Sequence, residues 1–261
     1  MAKLVIGNNK TVGVPAIVRD LSPEYYIEVV TDANGKAIHG SHLMDFSKFT
    51  DVGPYVFANA YINDKNLTGE IDMSSMTTLS SDAACNQMFL GCVGLTSVNL
   101  SSLTTISGPS ACSSMFSACS GLTNVDLSSL TTISGPGACA TMFSSCALRT
   151  VDLGSLTTIS GSNSCSTMFN SCKLLSSVNF DSLTTISGTY AFQNAFLNCK
   201  ALTELRFPAL KTVANENVFS NMLGNTKDCI VHFPSNFATT VTASKLGGTN
   251  TTVLYDLPAT E

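Results

Sequence analysis

Cysteine is the residue of this chain with the most chemistry to offer: there are ten, and eight of them fall in four pairs. Cys85 and Cys92, Cys112 and Cys119, Cys139 and Cys146, and Cys165 and Cys172 are each seven positions apart. Thiols at fixed spacing form disulfides, hold metal, or pack as small apolar groups. On a helix, seven positions are ~10.5 Å of rise, beyond the ~7 Å Cα separation that a disulfide spans. Zinc sites favour cysteines two to four positions apart with histidine nearby, and His39, His42 and His232 stand in no such pattern. His39, His42 and Asp45 form a small cluster that reads as a solvated loop. In a later copy of the same phrase Phe192 takes the place of the first cysteine, and a position that takes Cys or Phe is a packing position. The expectation is reduced cysteine ladders, no metal and no cofactor. Glycines recur at corners and form no phosphate loop, so an enzyme is not expected.

These cysteines belong to a phrase that repeats. It begins at Leu95, Leu122, Leu148 and Leu175, at spacings of 27, 26 and 27 residues, a period that marks a solenoid. Each copy opens with LxxVxL, a short strand that turns Leu95, Val98 and Leu100 inward. SLTTISG follows as a second strand rich in β-branched residues, with Leu103 and Ile106 inward. Cys112, Met115, Phe116 and Cys119 then fall at i, i+3, i+4 and i+7, which predicts one face of a short helix. The apolar face of one unit is too small to be buried alone, so units must stack, strand on strand at ~4.8 Å.

Stacking also lines up the groups that point outward from the first strand. Asp72, Asn99, Asp126, Asp152, Asn179 and Arg206 form one column, and Glu70, Ser97, Asn124, Thr150, Ser177 and Glu204 stand beside it. Such columns are the usual ligand surface of solenoids. Their carboxylates and amides suit sugar hydroxyls or protein polar groups, with a cation between Asp126 and Asp152 as a further option; as solvated residues they need no ligand at all. The pairs Thr104/Thr105, Thr131/Thr132, Thr157/Thr158 and Thr184/Thr185 line the second sheet, where β-propensity accounts for them.

The LxxVxL strand, the SLTTIS strand and the endings MFSAC, MFSSC, MFNSC and AFLNC resemble the BspA-like (Treponema-type) leucine-rich repeat. Met often replaces the usual Ala here, and an insertion of the SGPSAC kind lengthens each unit. The resemblance implies an α/β leucine-rich-repeat solenoid of about seven turns, strand, strand and short helix per unit, with parallel sheets. Residues 1–45 are expected to form a leader with a capping hairpin (YYIEVVT, turn DANG), 46–234 the solenoid, and 235–261 a C-terminal β cap.

Charge narrows the function. Charged residues make up 12% of the chain and the net charge is -5, which argues against nucleic acid as a partner. The opening MAKLVIGNNKTVGVPAIVRDL shows no uninterrupted apolar core of a signal peptide, and no stretch is apolar enough to insert in a membrane. Relatives of this repeat type are commonly surface or secreted proteins, and the leader is similar to the starts of tail-gene proteins of gut-bacterial phages and prophages. The expected function is therefore non-catalytic binding: a tail-associated, receptor-binding protein of a virion that recognises a protein or glycan on a bacterial surface, with homo-oligomers left open. A bacterial adhesin binding host or matrix protein at the cell surface, and a cytoplasmic scaffold, are the alternatives.

Overall fold

A computed structural model describes Phe46 and residues 49–260. The leader and its hairpin, with His39, His42 and Asp45, lie outside the described residues. The described chain winds into a parallel solenoid whose coils have three sides. The first side carries β1 (Thr68–Asp72), β3 (Gly94–Asn99), β5 (Asn124–Asp126), β7 (Thr150–Asp152), β9 (Ser177–Asn179), β11 (Glu204–Arg206) and β13 (Ile230–Pro234). The second carries β2 (Thr78–Leu79), β4 (Thr105–Ile106), β6 (Thr132–Ile133), β8 (Thr158–Ile159), β10 (Thr185–Ile186) and β12 (Thr212–Val213), joined as one six-stranded sheet in coil order. Every pairing is parallel, such as Val98 with Val125 and Ile106 with Ile133; the first side pairs in separate groups, β1 with β3 and β5, β7 with β9, and β11 with β13, and a bulge shifts the register at Gly69 and Glu70.

The third side corrects the predicted helix. Ala111 to Cys119 is a ribbon of turns. The amides of Ala111, Ser113, Met115, Ser117 and Cys119 donate three residues back within the coil, at 3.0–3.2 Å. Those of Ser110, Cys112, Ser114, Phe116 and Ala118 donate across to Pro136, Ala138, Ala140, Met142 and Ser144 of the next coil, at 2.7–2.9 Å. Each fourth residue is left-handed: Ser110, Ser114 and Ala118 have φ of 52°, 55° and 60°.

Two physical reasons favour the ribbon. Helices pack ~8–10 Å apart, whereas strands stack at ~4.8 Å, so a helix on one side cannot keep step with sheets on the other two. A segment of Ser, Cys and Asn is also a poor helix former. The left-handed residues cost about 1–2 kcal/mol each for ordinary side chains, and Asn tolerates that region best. Asn59, Asn63, Asn163, Asn194, Asn198, Asn221 and Asn225 occupy it in other coils.

The core runs through the stack as columns. Tyr61, Phe89, Phe116, Phe143, Phe169 and Phe196 stack ring on ring at 5.3–5.8 Å, within 9° of parallel. Toward the C-terminus the Leu column of Leu100, Leu127 and Leu153 becomes Phe180, Phe207 and Phe233, stacked at 5.3 and 5.2 Å. The C-terminal segment adds a last partial coil. Its strand β14 (Thr252–Leu257) pairs with β13, and Lys245, Leu246 and Thr249 accept amides from Asn221, Leu223 and Asp228 of the ribbon. Among the described residues no helix is long and apolar enough to cross a membrane.

Candidate binding surface

All ten cysteines are free and buried. Nine of them form two ladders, with Cys229 outside both, and the second ladder has a specific contact. The thiols of Cys92, Cys119, Cys146, Cys172 and Cys199 donate to the carbonyls of Tyr61, Phe89, Phe116, Phe143 and Phe169, each in the preceding coil, at 2.9–3.1 Å. In the next coil Thr226 takes the place of cysteine and its hydroxyl donates to Phe196 in the same way, at 2.8 Å. Burial pushes the thiols of Cys112, Cys119 and Cys172 up to about 12. A thiolate, the nucleophilic and metal-binding form, is thereby suppressed at neutral pH. The ladders are structural donors and packing groups.

The outward columns of the first side are in register within each of its sheets, and the pairing breaks between β5 and β7 and between β9 and β11. Glu70, Ser97 and Asn124 are in register, as are Thr150 with Ser177. Beside them Asp72, Asn99 and Asp126 pair, as do Asp152 and Asn179. The second column has a local task that the first lacks. The Oδ1 atoms of Asp72, Asn99, Asp126, Asp152 and Asn179 accept the amides of Ser74, Ser101, Ser128, Gly154 and Asp181, two residues on, at 2.9–3.1 Å. This Asx turn bends the chain out of the strand. Asp126 also accepts the Ser128 hydroxyl at 2.7 Å, and Asp152 accepts Asn179 Nδ2 at 3.0 Å. The oxygens that a cation between Asp126 and Asp152 would need are thus engaged on one side, and among the described residues no cluster of three ligating groups is set for a metal.

At the C-terminal end the columns run into an ionic cluster. Arg206 Nη1 lies 3.0 Å from Glu204 Oε1, and His232 stands between Glu204 at 3.4 Å and Asp256 at 2.8 Å. The His232 hydrogen bond holds the Asp256 carboxyl below its ordinary value. Glu204 and Arg206 are therefore paired with each other, and His232 links Glu204 to Asp256 of the C-terminal segment. The sequence hid this cluster because His232 and Asp256 stand in no motif and meet only when β14 docks on β13.

The threonine pairs divide in the same manner. The hydroxyls of Thr104, Thr131, Thr157 and Thr184 donate to the carbonyls of Thr77, Thr104, Thr131 and Thr157 at 3.0–3.1 Å, so the first of each pair ties coil to coil. The second, Thr105, Thr132, Thr158 and Thr185, faces outward on the sheet.

A stack of three-sided, leucine-rich parallel coils with polar outer columns and buried, unreactive thiols is a repeat solenoid of the leucine-rich class. The BspA type leucine rich repeat region matches this sequence in six copies, over residues 46–194 and 85–226, and the chain belongs to that family. Repeats of this family imply a protein-binding or adhesion-type role. Among solved structures it is similar to a leucine-rich repeat protein from Bacteroides ovatus, at 20% identity and a TM-score of 0.41 over 78% of this chain. The alignment spans 40% of the length of that protein. It is also similar to a leucine rich repeat protein of T. pallidum, at 15% identity and a TM-score of 0.35, over 91% of this chain and 90% of that one. A leucine rich cell surface protein from Faecalibacterium prausnitzii aligns at 14% identity and a TM-score of 0.26, over 88% and 86% of the two chains. No curated protein matches the sequence.

Proposed function

We propose that this chain is a non-catalytic recognition protein that engages a protein or glycan on a bacterial cell surface, as a tail-associated, receptor-binding component of a phage or prophage particle. The observation that carries the reading is the column of Glu70, Ser97 and Asn124, held in register on one sheet of the first side, continued by Thr150 and Ser177, in register on the next. The described structure gives these side chains no hydrogen bond of their own, unlike the Asx column beside them. Rigid, evenly spaced polar groups are preorganised for a ligand, so binding carries little ordering cost. The leader's similarity to phage tail proteins supports the tail assignment.

The test is staining of a panel of gut bacteria with fluorescently labelled protein, alongside an Asn124→Arg, Thr150→Arg variant. Both residues are exposed and at the middle of the column, and neither holds a corner. Strain-selective staining by the parent, lost in the variant with unchanged thermal stability, is the expected result. Absence of staining on every strain would remove the surface reading.

A further inference from the structure

A row of lysines marks the corner where the turn ribbon meets the first sheet. Lys173 and Lys200 each follow a ladder cysteine, Cys172 and Cys199, and Lys227 follows Thr226, which takes the cysteine's place. The Leu175 amide closes a turn on Cys172 and the Leu202 amide closes one on Cys199, so Lys173 and Lys200 sit at turn tips. All three lysines are exposed. Ser171 donates its amide to Leu197 and Asn198 donates to Gly224, which puts the three coils in register here. The lysines therefore stand one coil apart, ~4.8 Å along the stack.

Like charges at that spacing repel, and nothing among the described residues answers them. The ion pairs there use Arg206, His232 and Lys245, never these three. Asp228, next to Lys227, is bound instead by the Asn250 amide at 3.0 Å. The three preceding coils carry Val93, Ser120 and Ala147 at the same corner, and Lys65 stands there four coils from Lys173, so the run of adjacent lysines is confined to the C-terminal end of a chain whose net charge is -5. Two positions before the lysines stand Ser171, Asn198 and Asn225, a second row of hydroxyl and amide groups.

We infer that this corner docks a linear anionic polysaccharide lying along the solenoid axis. Ammonium groups on flexible stems serve as point charges for carboxylate or sulfate groups recurring along such a polymer. The Ser and Asn row offers hydrogen bonds to its hydroxyls. Single-stranded nucleic acid is the poorer fit, since it is held by stacking on aromatic side chains and this corner has none. The inference rests on the surface-recognition reading and names a ligand class for it, at a site separate from the strand column.

The test measures binding of the parent protein to dextran sulfate, with unmodified dextran as the uncharged control, across a series of salt concentrations. A Lys173→Gln, Lys200→Gln variant is compared with a charge-matched Lys211→Gln, Lys245→Gln variant, whose lysines lie away from this corner, beside β12 and on the turn ribbon. The parent is expected to bind dextran sulfate and not dextran. The row variant loses about tenfold or more in affinity at low salt, its salt slope falls by roughly one for each lysine removed, and the charge-matched variant binds as the parent does. Equal loss in both variants, or no binding of the sulfated polymer by the parent, overturns the inference. Cell staining that survives in the row variant while the strand-column variant loses it leaves the surface reading standing and removes only the role of the lysine row in it.

Discussion

Ser164 stands where the other coils carry Ala84, Ala111, Ala138 and Ala191, and its fully buried hydroxyl has no hydrogen-bond partner. The neighbouring Cys165 would be a strong acceptor only as a thiolate, which burial suppresses by pushing the thiol up to about 12. A buried orphan hydroxyl costs about 1–3 kcal/mol, so Ser164→Ala is expected to raise stability by roughly 1 kcal/mol in urea unfolding. Volume is conserved along the columns in a similarly local way. Phe192 replaces a cysteine and Ala195 replaces the methionine seen at Met115, Met142 and Met168, while Phe192 packs on Phe180 and Phe219 at 5.5 and 6.0 Å. Phe192→Cys is expected to cost about 3 kcal/mol through the cavity it leaves, and Ala195→Met about 1–3 kcal/mol through overpacking. The double variant should recover more than half of the summed loss, and strict additivity would refute the compensation. These packing positions were legible from the sequence, because a position that takes Cys, Phe or Met in turn is apolar whatever its geometry. The Asx role of Asp126 was legible in principle too, since Asp or Asn recurs two residues before the residue whose amide it accepts. The spacing showed the column, and only the structure showed that one column of the two is engaged in holding corners.

At the scale of the elements, the strands were legible and the ribbon was not. Over nine residues, buried pairs at Ala111, Cys112 and Met115, Phe116 with a last member at Cys119 fit a period of four as well as one of 3.6. The distinguishing signal was the frequency of Ser, Asn or Gly at every fourth residue, where the left-handed conformation falls, interrupted by Ala83, Ala118, Thr141, Thr167 and Tyr190 among others. A glycine fixes the entry to the ribbon: a Cβ on Gly135 would come 2.2 Å from the Gly108 carbonyl oxygen, and one on Gly161 2.2 Å from that of Gly135. Gly135→Ala should destabilise the protein by about 2 kcal/mol or more, because backbone of two coils must part. The cap adds a pH dependence. The folded-state pKa of Asp256 is depressed by His232, so the contribution is present above the ordinary carboxylate value of about 3.9 and is lost as pH falls through the folded value. Proteolysis of β14 should therefore accelerate at pH 3 relative to pH 7 when measured with an acid-tolerant protease and normalised to its activity, and Asp256→Asn should flatten that difference.

On the scale of the whole molecule, three sides rise by the same step, and function follows from that regularity. Equal rise keeps side chains of successive coils in straight rows: polar and acidic groups on the first sheet, threonines on the second, lysines at one corner. The lysine row was hidden from the sequence by arithmetic, because Arg149, Lys173 and Lys200 cancel against Asp126, Asp152 and Asp181 in a sum, and the lysines become a row only when each is placed by its coil. Every proposal about recognition depends on the coils being in this register, and the turn ribbon sets it. Amide hydrogen exchange with residue resolution tests the ribbon directly. The alternating bonds predict that Cys112, Ser114 and Phe116, which donate between coils, are protected as strongly as Val98 and Val125 in the first sheet, with backbone chemical shifts of Ser114 and Ala118 in the left-handed range. Helical shifts across Ala111 to Cys119, or exchange there as fast as in an unfolded chain, would contradict the stack and every row drawn from it.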